Sequence, residues 1–325
     1  MGDDGGDQAC PRSAGSVQPR QGGATGRLTR QEAGTTSRRG TFLYEFEQSA
    51  ESRALMPFDA KPRLNVQDTK GAGPVVILLH DWPMSSEMWT PQFRMLRNAG
   101  FRVIRYDCRG FGKSDATGES YDLDALAADL HRLIEARDLR EVSLVGIGMG
   151  AAEIIRYLAI HGDDRVSRLV LVSCPGPVPA RDAECGPDET DPYTRTVRAL
   201  DEDPEAFCGT YTHEVLSFRG TCRASEATHR AVLEQIRAAR PEVMLESLAA
   251  VLGTDLTSDI AALRRPVMLL HGEGDDMLPV ETTAQRLYEA IPGSRLQVLL
   301  GAPHALNLTH TRHFNSALLD FLRLG

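Results

Sequence analysis

The sequence lacks the features that would place the protein in a membrane, on a metal or on nucleic acid. No apolar run reaches the length of about 18 residues that a transmembrane helix requires. None of the six cysteines forms a C-x-x-C pair, so neither a zinc site nor a disulfide framework is indicated. The net charge of −9 argues against general affinity for nucleic acid. We therefore expect a cytoplasmic protein with reduced thiols, no metal, and neither membrane nor nucleic-acid partner.

The first forty residues differ in composition from the rest of the chain. They are rich in Gly, Arg, Ser, Gln and Thr and hold almost no large apolar side chains, so they cannot offset the entropy cost of ordering. We predict a disordered tail over residues 1–40 and a folded domain over 41–325. Arg38 and Arg39 resemble part of a twin-arginine export signal, but no apolar segment follows them. A start codon placed too early would equally explain the tail.

In the first half of the folded domain, short apolar runs alternate with stretches of helical period. Strands are predicted at residues 42–46, 64–67, 75–79, 101–106, 142–145 and 168–172. Helices are predicted near residues 90–99, 123–137 and 151–160. Continuous Val, Ile and Leu runs are typical of strands that are buried on both faces. This alternation predicts an α/β fold with a mostly parallel central sheet flanked by helices.

The second half interrupts the alternation and then resumes it. Residues 176–245 are rich in Pro, Asp, Glu and Arg, and they predict an inserted helical cap. Strands are then expected at 266–271 and 296–300, and helices at 282–290 and 309–322. The cap mixes charges with aromatic residues, which suggests a partly aromatic pocket wall; these residues are Tyr193, Phe207, Tyr211 and Phe218.

A glycine-dense turn over residues 146–150 organises the fold, because it joins a predicted strand directly to a predicted helix. Gly148 lies at its centre. Two other predicted strands are followed by Asp275 and His304. Because the carboxyl ends of parallel strands meet at one edge of a sheet, we expect these three residues to converge at one pocket.

Four motifs together resemble the α/β hydrolases. Residues 79–83 (LHDWP) look like the H-G-[FW]-P strand end, and residues 107–114 (DCRGFGKS) look like D-x-R-G-F-G-x-S. Residues 271–279 resemble the acid loop of that family, and residues 301–304 (GAPH) resemble its histidine loop. The chain is most similar to the cofactor-free (non-haem) haloperoxidase branch, whose members are esterases and perhydrolases. The G-x-S-x-G elbow of the family is GIGMG here.

The resemblance implies a role for each matching position. His304 would be the general base, and Asp275 would orient and stabilise its ring. The backbone N–H groups of Trp82 and Met149 would form the oxyanion hole. Gly148 would occupy a vacant nucleophile position, which removes acyl-enzyme chemistry. Asp81 stands where the family usually has glycine, and it would modulate the site by disfavouring negative charge in the oxyanion hole unless it points away.

Other interpretations of these residues stay open. Asp276 or Glu273 could replace Asp275 as the acid, and Cys174 could supply a thiol nucleophile. His80 is expected to be a hydrogen-bonded structural histidine. The glycines also fit the dinucleotide fingerprint G-x-G-x-x-[GA], but no acidic residue ends the next predicted strand, so we expect no cofactor.

Three functions are consistent with these motifs. The first is an enzyme that uses the His–Asp pair for proton transfer without a covalent intermediate, as hydroxynitrile lyases and cofactor-free oxygenases of this superfamily do. The second is a catalytically inactive pseudo-hydrolase that binds a small molecule or a partner protein. The third is a weak esterase that acts through a water molecule held by His304. All three imply a small-molecule substrate or ligand, and the sequence reveals neither its identity nor the oligomeric state.

Overall fold

A computed structural model describes residues 62–116, 120–176 and 192–324 of the chain. The predicted tail, the strand expected at 42–46 and part of the predicted cap lie outside these ranges. Among the described helices, none combines the length and the apolar composition that crossing a membrane would need.

Seven strands form the central sheet. They are β1 (Val66–Asp68), β2 (Val75–Leu79), β3 (Arg102–Tyr106), β4 (Val142–Ile147), β5 (Val166–Val172), β8 (Val267–Gly272) and β9 (Arg295–Leu299). Their spatial order is β1-β3-β2-β4-β5-β8-β9. The edge strand β1 pairs antiparallel with β3, and every other neighbouring pair is parallel. The mostly parallel sheet predicted from the alternating pattern is confirmed.

Eleven α-helices and a short hairpin accompany the sheet in the described residues. Before β5, these helices are α1 (Thr90–Asn98), α2 (Leu123–Ala136) and α3 (Met149–His161). Between β5 and β8 come α4 (Pro192–Glu202), α5 (Pro204–Leu216), α6 (Glu226–Ala238), α7 (Pro241–Gly253) and α8 (Thr257–Ile260), with the hairpin of β6 (Ser217–Phe218) and β7 (Thr221–Cys222). The chain ends with α9 (Ala284–Ala290), α10 (Leu306–Thr309) and α11 (Thr311–Leu322).

The core follows the apolar runs of the sequence. Residues 76–79 of β2 and all of β4 are buried, because helices cover both faces of these central strands. The apolar residues of α2 recur at helical spacing and face the core, and α2 packs on α3. Among the helices between β5 and β8, α4 contacts both α5 and α7, and α5 contacts α6. The carboxyl edge of the sheet therefore includes the ends of the buried central strands β2 and β4.

Candidate active site

Four residues meet just beyond the carboxyl ends of four strands. Asp81 follows β2, Gly148 follows β4, Asp275 follows β8 and His304 follows β9. Asp81, Asp275 and His304 are each only 3% exposed. The convergence of Gly148, Asp275 and His304 expected from parallel strand ends is present in this geometry, and Asp81 joins them.

Gly148 forms the sharp turn between β4 and α3. Its backbone angles are φ 52° and ψ −114°, a region that glycine tolerates and other residues enter at a cost. The Gly148 amide donates to the Val172 carbonyl oxygen at 3.0 Å, which fixes the turn against the neighbouring strand. A Cβ atom built on Gly148 would collide with Oδ1 of Asp81. The carboxylate of Asp81 thus fills the space that a side chain at position 148 would occupy.

Asp81 is bound through both carboxylate oxygens. The Met149 amide, at the first residue of α3, donates to Oδ1 at 3.0 Å, and Nε2 of His304 donates to Oδ2 at 2.9 Å. The sequence left open whether the Asp81 carboxylate points toward the expected oxyanion hole or away from it. Asp81 itself occupies the Met149 amide, since its carboxylate points toward the elbow rather than away from it.

The other ring nitrogen of His304 faces Asp275. Nδ1 of His304 donates to Oδ2 of Asp275 at 2.8 Å. Oδ1 of Asp275 accepts from the amides of Met277 and Leu278 at 3.2 and 2.9 Å. Nε2 of His271 lies 3.3 Å from Oδ2 of Asp275, a contact that no sequence pattern indicated. These bonds hold the Asp275 carboxylate in place against the imidazole.

The neighbouring acids do not compete with Asp275 for the imidazole. Glu273 is exposed and accepts from the Gly301 amide instead. Asp276 is also exposed and lies on the wall of the cavity described below. Of the three acids on this loop, Asp275 is therefore the one that contacts His304.

The two carboxylates set the charge of His304. Burial by itself would lower the pKa of this histidine, but the charges of Asp275 and Asp81 outweigh burial and raise the pKa well above its ordinary value. Burial would likewise raise the pKa of Asp275, yet the charge of His304 and the hydrogen bonds from His271 and His304 lower it. Each ring nitrogen lies within hydrogen-bond distance of a carboxylate oxygen, an arrangement that favours the doubly protonated imidazolium. Neither ring nitrogen of His304 is free while Asp81 holds this position, so the general-base role expected for His304 requires the Asp81–His304 bond to open.

A cavity of about 760 Å³ opens above these residues. Asp81, Gly148, Met149 and His304 contribute to its floor, and helices α4, α5 and α7 contribute to its walls. The indole of Trp82 and the rings of Phe207 and Tyr211 line it as well. Phe207 and Tyr211 were expected to give an aromatic pocket wall, whereas Phe218 is not among the lining residues and the side chain of Tyr193 lies outside the described residues.

Two of the sequence motifs prove to support the loops around the site. His80 is fully buried, with Nδ1 bonded to the Asp81 carbonyl oxygen and Nε2 accepting from the Cys108 amide, in agreement with its expected structural role. Asp107 accepts from the Ser86 and Lys113 amides at 2.8 and 2.9 Å. These contacts anchor the backbone on either side of Asp81 without reaching the cavity.

Cys174 does not offer an alternative nucleophile in this arrangement. Its thiol is buried and donates to the Pro175 carbonyl oxygen at 3.3 Å. Burial raises the pKa of the thiol, which leaves little of the reactive thiolate. The glycines of the elbow are also explained without a dinucleotide, because a Cβ atom at Gly146 would strike the backbone of Gly150 in the same turn.

The fold and the motifs agree with comparisons to known proteins. The family model described as the alpha/beta hydrolase fold matches residues 74–311. A protein of Synechocystis sp., provisionally named a non-haem chloroperoxidase, is 35% identical over 260 residues, which cover 78% of this chain and 92% of that protein. The crystal structure of a bromoperoxidase from Bacillus anthracis has a TM-score of 0.76 and 33% identity, and the match covers 82% of this chain and 97% of that one. An esterase from Exiguobacterium antarcticum gives a TM-score of 0.74 at 27% identity, covering 81% and 96% of the two chains.

The chain therefore belongs to the α/β hydrolase family. Within that family it is similar to non-haem haloperoxidases and esterases, as its four motifs predicted.

Proposed function

We propose that this protein is an acid–base enzyme that forms no covalent intermediate and acts on a small organic molecule. The observation that carries this proposal is the position of the Asp81 carboxylate, which bonds both His304 and the Met149 amide at the base of the cavity. Gly148 then stands at the nucleophile position of the family without a nucleophile, and Asp81 takes the place beside His304.

The proposed reaction moves a proton between two atoms of the substrate. Oδ2 of Asp81 accepts a proton from an acidic C–H or O–H group, and Nε2 of His304 donates its proton to the developing oxygen or carbon centre. Asp275 stays ionised and holds the imidazole. The proton on Asp81 then returns to His304 across their 2.9 Å hydrogen bond, which restores the starting charges. Lyase, cyclase and isomerase steps have this proton balance, and general acid–base catalysis contributes about 10²–10⁴-fold.

Hydrolysis of an ester through a water molecule is less well supported. An oxyanion requires free N–H donors where negative charge develops. The Met149 amide already donates to Asp81, and the carboxylate would repel a tetrahedral oxyanion at that place. These contacts argue against the weak esterase that the motifs left open.

A second candidate is a pseudo-hydrolase that binds a small molecule without chemistry. The hydrogen bonds among Asp81, His304 and Asp275 favour this binding role. Both ring nitrogens of His304 are already bonded to carboxylate oxygens of the protein. A binder would keep this set intact, whereas the enzyme must open the Asp81–His304 bond when substrate enters. Both the enzyme and the binder would bind a small molecule in this cavity, so turnover of that molecule distinguishes the two candidates and affinity does not.

The test is proton transfer in D₂O, with a panel of small β-hydroxy ketones, cyanohydrins and enolisable ketones, followed by NMR. We expect the full chain to exchange or convert at least one compound, and Asp81→Asn to lose about 10²-fold or more of that rate. Asp320→Asn, an exposed substitution on α11, serves as the matched control. A covalent adduct on the protein during turnover, or full activity in Asp81→Asn, would overturn the proposed mechanism. Binding without any turnover would favour the pseudo-hydrolase.

A further inference from the structure

Three aromatic rings stand together on the wall of the cavity next to Asp81. Trp82 and Tyr211 meet edge to face with ring centroids 5.1 Å apart, and Phe207 stacks on Tyr211 at 5.4 Å. Each of the three is at most 6% exposed. The Trp82 indole donates to the Met244 carbonyl oxygen at 3.0 Å, so its orientation is fixed. Aromatic rings attract cations through their negative faces, most strongly where water is excluded.

The charged groups on the same cavity are mainly acidic. The described lining residues include five carboxylates and two cationic groups, and His213 is a further titratable group. The carboxylates are Asp81, Glu202, Asp203, Glu214 and Asp276, and the cationic groups are Arg195 and His304. Asp275 lies behind His304 and adds a further negative charge next to the floor. Glu202, Asp203, Glu214 and Asp276 are exposed and Asp81 is buried, and the net negative charge of this lining favours a positive ligand over a negative one.

The amino end of α3, where an anion would be expected to bind, is already occupied by the Asp81 carboxylate. The amino end of α3 carries N–H groups and a partial positive charge that would attract an anion. Its first amide, that of Met149, donates instead to Oδ1 of Asp81, whose charge cancels the attraction. A carboxylate or phosphate ligand would meet Asp81 rather than free donors.

We propose that the substrate of this cavity is an organic cation, in which an ammonium group is carried on an apolar body. The ammonium group lies between Asp81 and the ring cluster of Trp82, Phe207 and Tyr211. The apolar body extends toward Leu248 and Val251 of α7, which line the same cavity. This inference rests on the proposed function only in naming this cavity as the substrate site, since cation binding needs no turnover.

The test compares three ligands that share one apolar body. 4-Phenylbutylamine is cationic, 4-phenylbutan-1-ol is neutral and 4-phenylbutanoate is anionic at neutral pH. Dissociation constants are measured by calorimetry on the full chain at physiological salt. We expect the amine to bind at least tenfold more tightly than the alcohol, and the carboxylate to bind more weakly than the alcohol. Equal affinity for amine and alcohol, tighter binding of the carboxylate, or no binding of the amine at millimolar concentration would overturn the proposal.

Variants separate the cavity from the overall negative charge of the protein. Glu214→Gln and Phe207→Leu should each reduce the preference for the amine over the alcohol by about threefold or more, and Asp81→Asn should reduce it further. Glu234→Gln, an exposed change on α6 outside the lining set, should leave it unchanged. If Glu234→Gln and Glu214→Gln reduce the preference for the amine over the alcohol equally, that preference comes from the net charge of the protein. This result would overturn the proposed cavity site. Because no variant is scored by turnover, failure of the proposed catalysis and failure of cation binding give different results.

Discussion

Asp81 and Gly148 occupy one space in this protein, since a Cβ atom on Gly148 would overlap Oδ1 of Asp81. The two positions lie on different strand ends, yet only one of them can carry a side chain in this arrangement. The carboxylate that fills the space contacts His304 and the Met149 amide, which are the groups that a serine at position 148 would be expected to meet. The Asp81 carboxylate and a side chain at position 148 therefore exclude one another in this arrangement.

The coupling predicts a non-additive effect on stability. A non-glycine residue at a positive φ costs about 1–3 kcal/mol in backbone strain. Gly148→Ser alone should lower the free energy of unfolding by more than this, because the new side chain also collides with Asp81. Combining Gly148→Ser with Asp81→Gly should recover part of that loss. Free energies of unfolding from urea titration of both single variants and the double variant give the coupling. Simple additivity would show that the two positions do not share space.

The same double variant should gain esterase chemistry. Removing the Asp81 side chain frees the Met149 amide, and the hydroxyl introduced by Gly148→Ser would lie within reach of His304. We expect hydrolysis of p-nitrophenyl acetate and an acyl-enzyme visible by mass spectrometry, with His304→Ala in that background abolishing both. Gly148→Ser alone should show much less, because the amide stays occupied. A folded double variant that binds the ester and forms no acyl-enzyme would show that Gly148 is not the nucleophile position.

The charge of His304 should persist well above the pH at which a free imidazole loses its proton, about 6.5. The two carboxylates raise its pKa, so NMR of ¹⁵N-labelled histidine should show a ring that stays doubly protonated as the pH rises past about 6.5. Asp81→Asn and Asp275→Asn should each lower that pKa. A His304 ring that titrates near pH 6.5 in the wild-type protein would contradict the ion-pair arrangement.

The direction in which stability changes with pH follows from the pKa shifts of His304 and Asp275. A raised pKa means that the contribution of His304 is complete below about pH 6.5 and is lost as the pH rises through its folded-state value. The lowered pKa of Asp275 means that its contribution is complete above about pH 4 and is lost as the pH falls through its folded-state value. Free energies of unfolding of the wild type and Asp275→Asn, measured as the pH falls below about 4, would test the contribution of Asp275.

Glu153 should make the protein less stable as the pH rises toward 8. This carboxyl on α3 is fully buried, and burial raises its pKa to about 8 despite hydrogen bonds from Tyr106 and Cys108. Because the folded-state value lies above the unfolded one, stability falls between about pH 4.5 and pH 8. Glu153→Gln should remove this slope and raise stability at pH 8 by on the order of a few kcal/mol. Glu234→Gln is the exposed control, and an unchanged slope in Glu153→Gln would contradict the shift.

Gly150 should tolerate no side chain, because α3 passes directly over β2. A Cβ atom at Gly150 would lie 2.6 Å from the Leu79 carbonyl oxygen and 2.8 Å from that of His80. Gly150→Ala should therefore cost about 1–3 kcal/mol in urea unfolding. Gly209→Ala on α5 is the matched control, since nothing lies within 4 Å of its added Cβ, and it should be neutral or stabilising by up to about 1 kcal/mol.

Most of the fold could be predicted because its signals are local. The apolar runs at residues 75–79 and 142–145 indicate buried strands, which are observed as β2 and β4, and helical spacing indicates α2 without reference to its neighbours. The convergence of Gly148, Asp275 and His304 also needed no coordinates, because parallel strands place their carboxyl ends on one edge. The helix predicted at residues 309–322 is observed as α11, and the short helix α10 that precedes it was not predicted.

The sequence by itself determined the class of fold, the strand ends that carry the site and the absence of a serine at position 148. It even singled out Asp81, as a residue that the family pattern does not contain at that place. Only the tertiary structure decided what Asp81 does, because a side-chain direction depends on groups that are distant in the chain, here Met149 and His304. The charge of His304 was decided in the same way, since it follows from two carboxylates that folding brings within 3 Å of one buried ring.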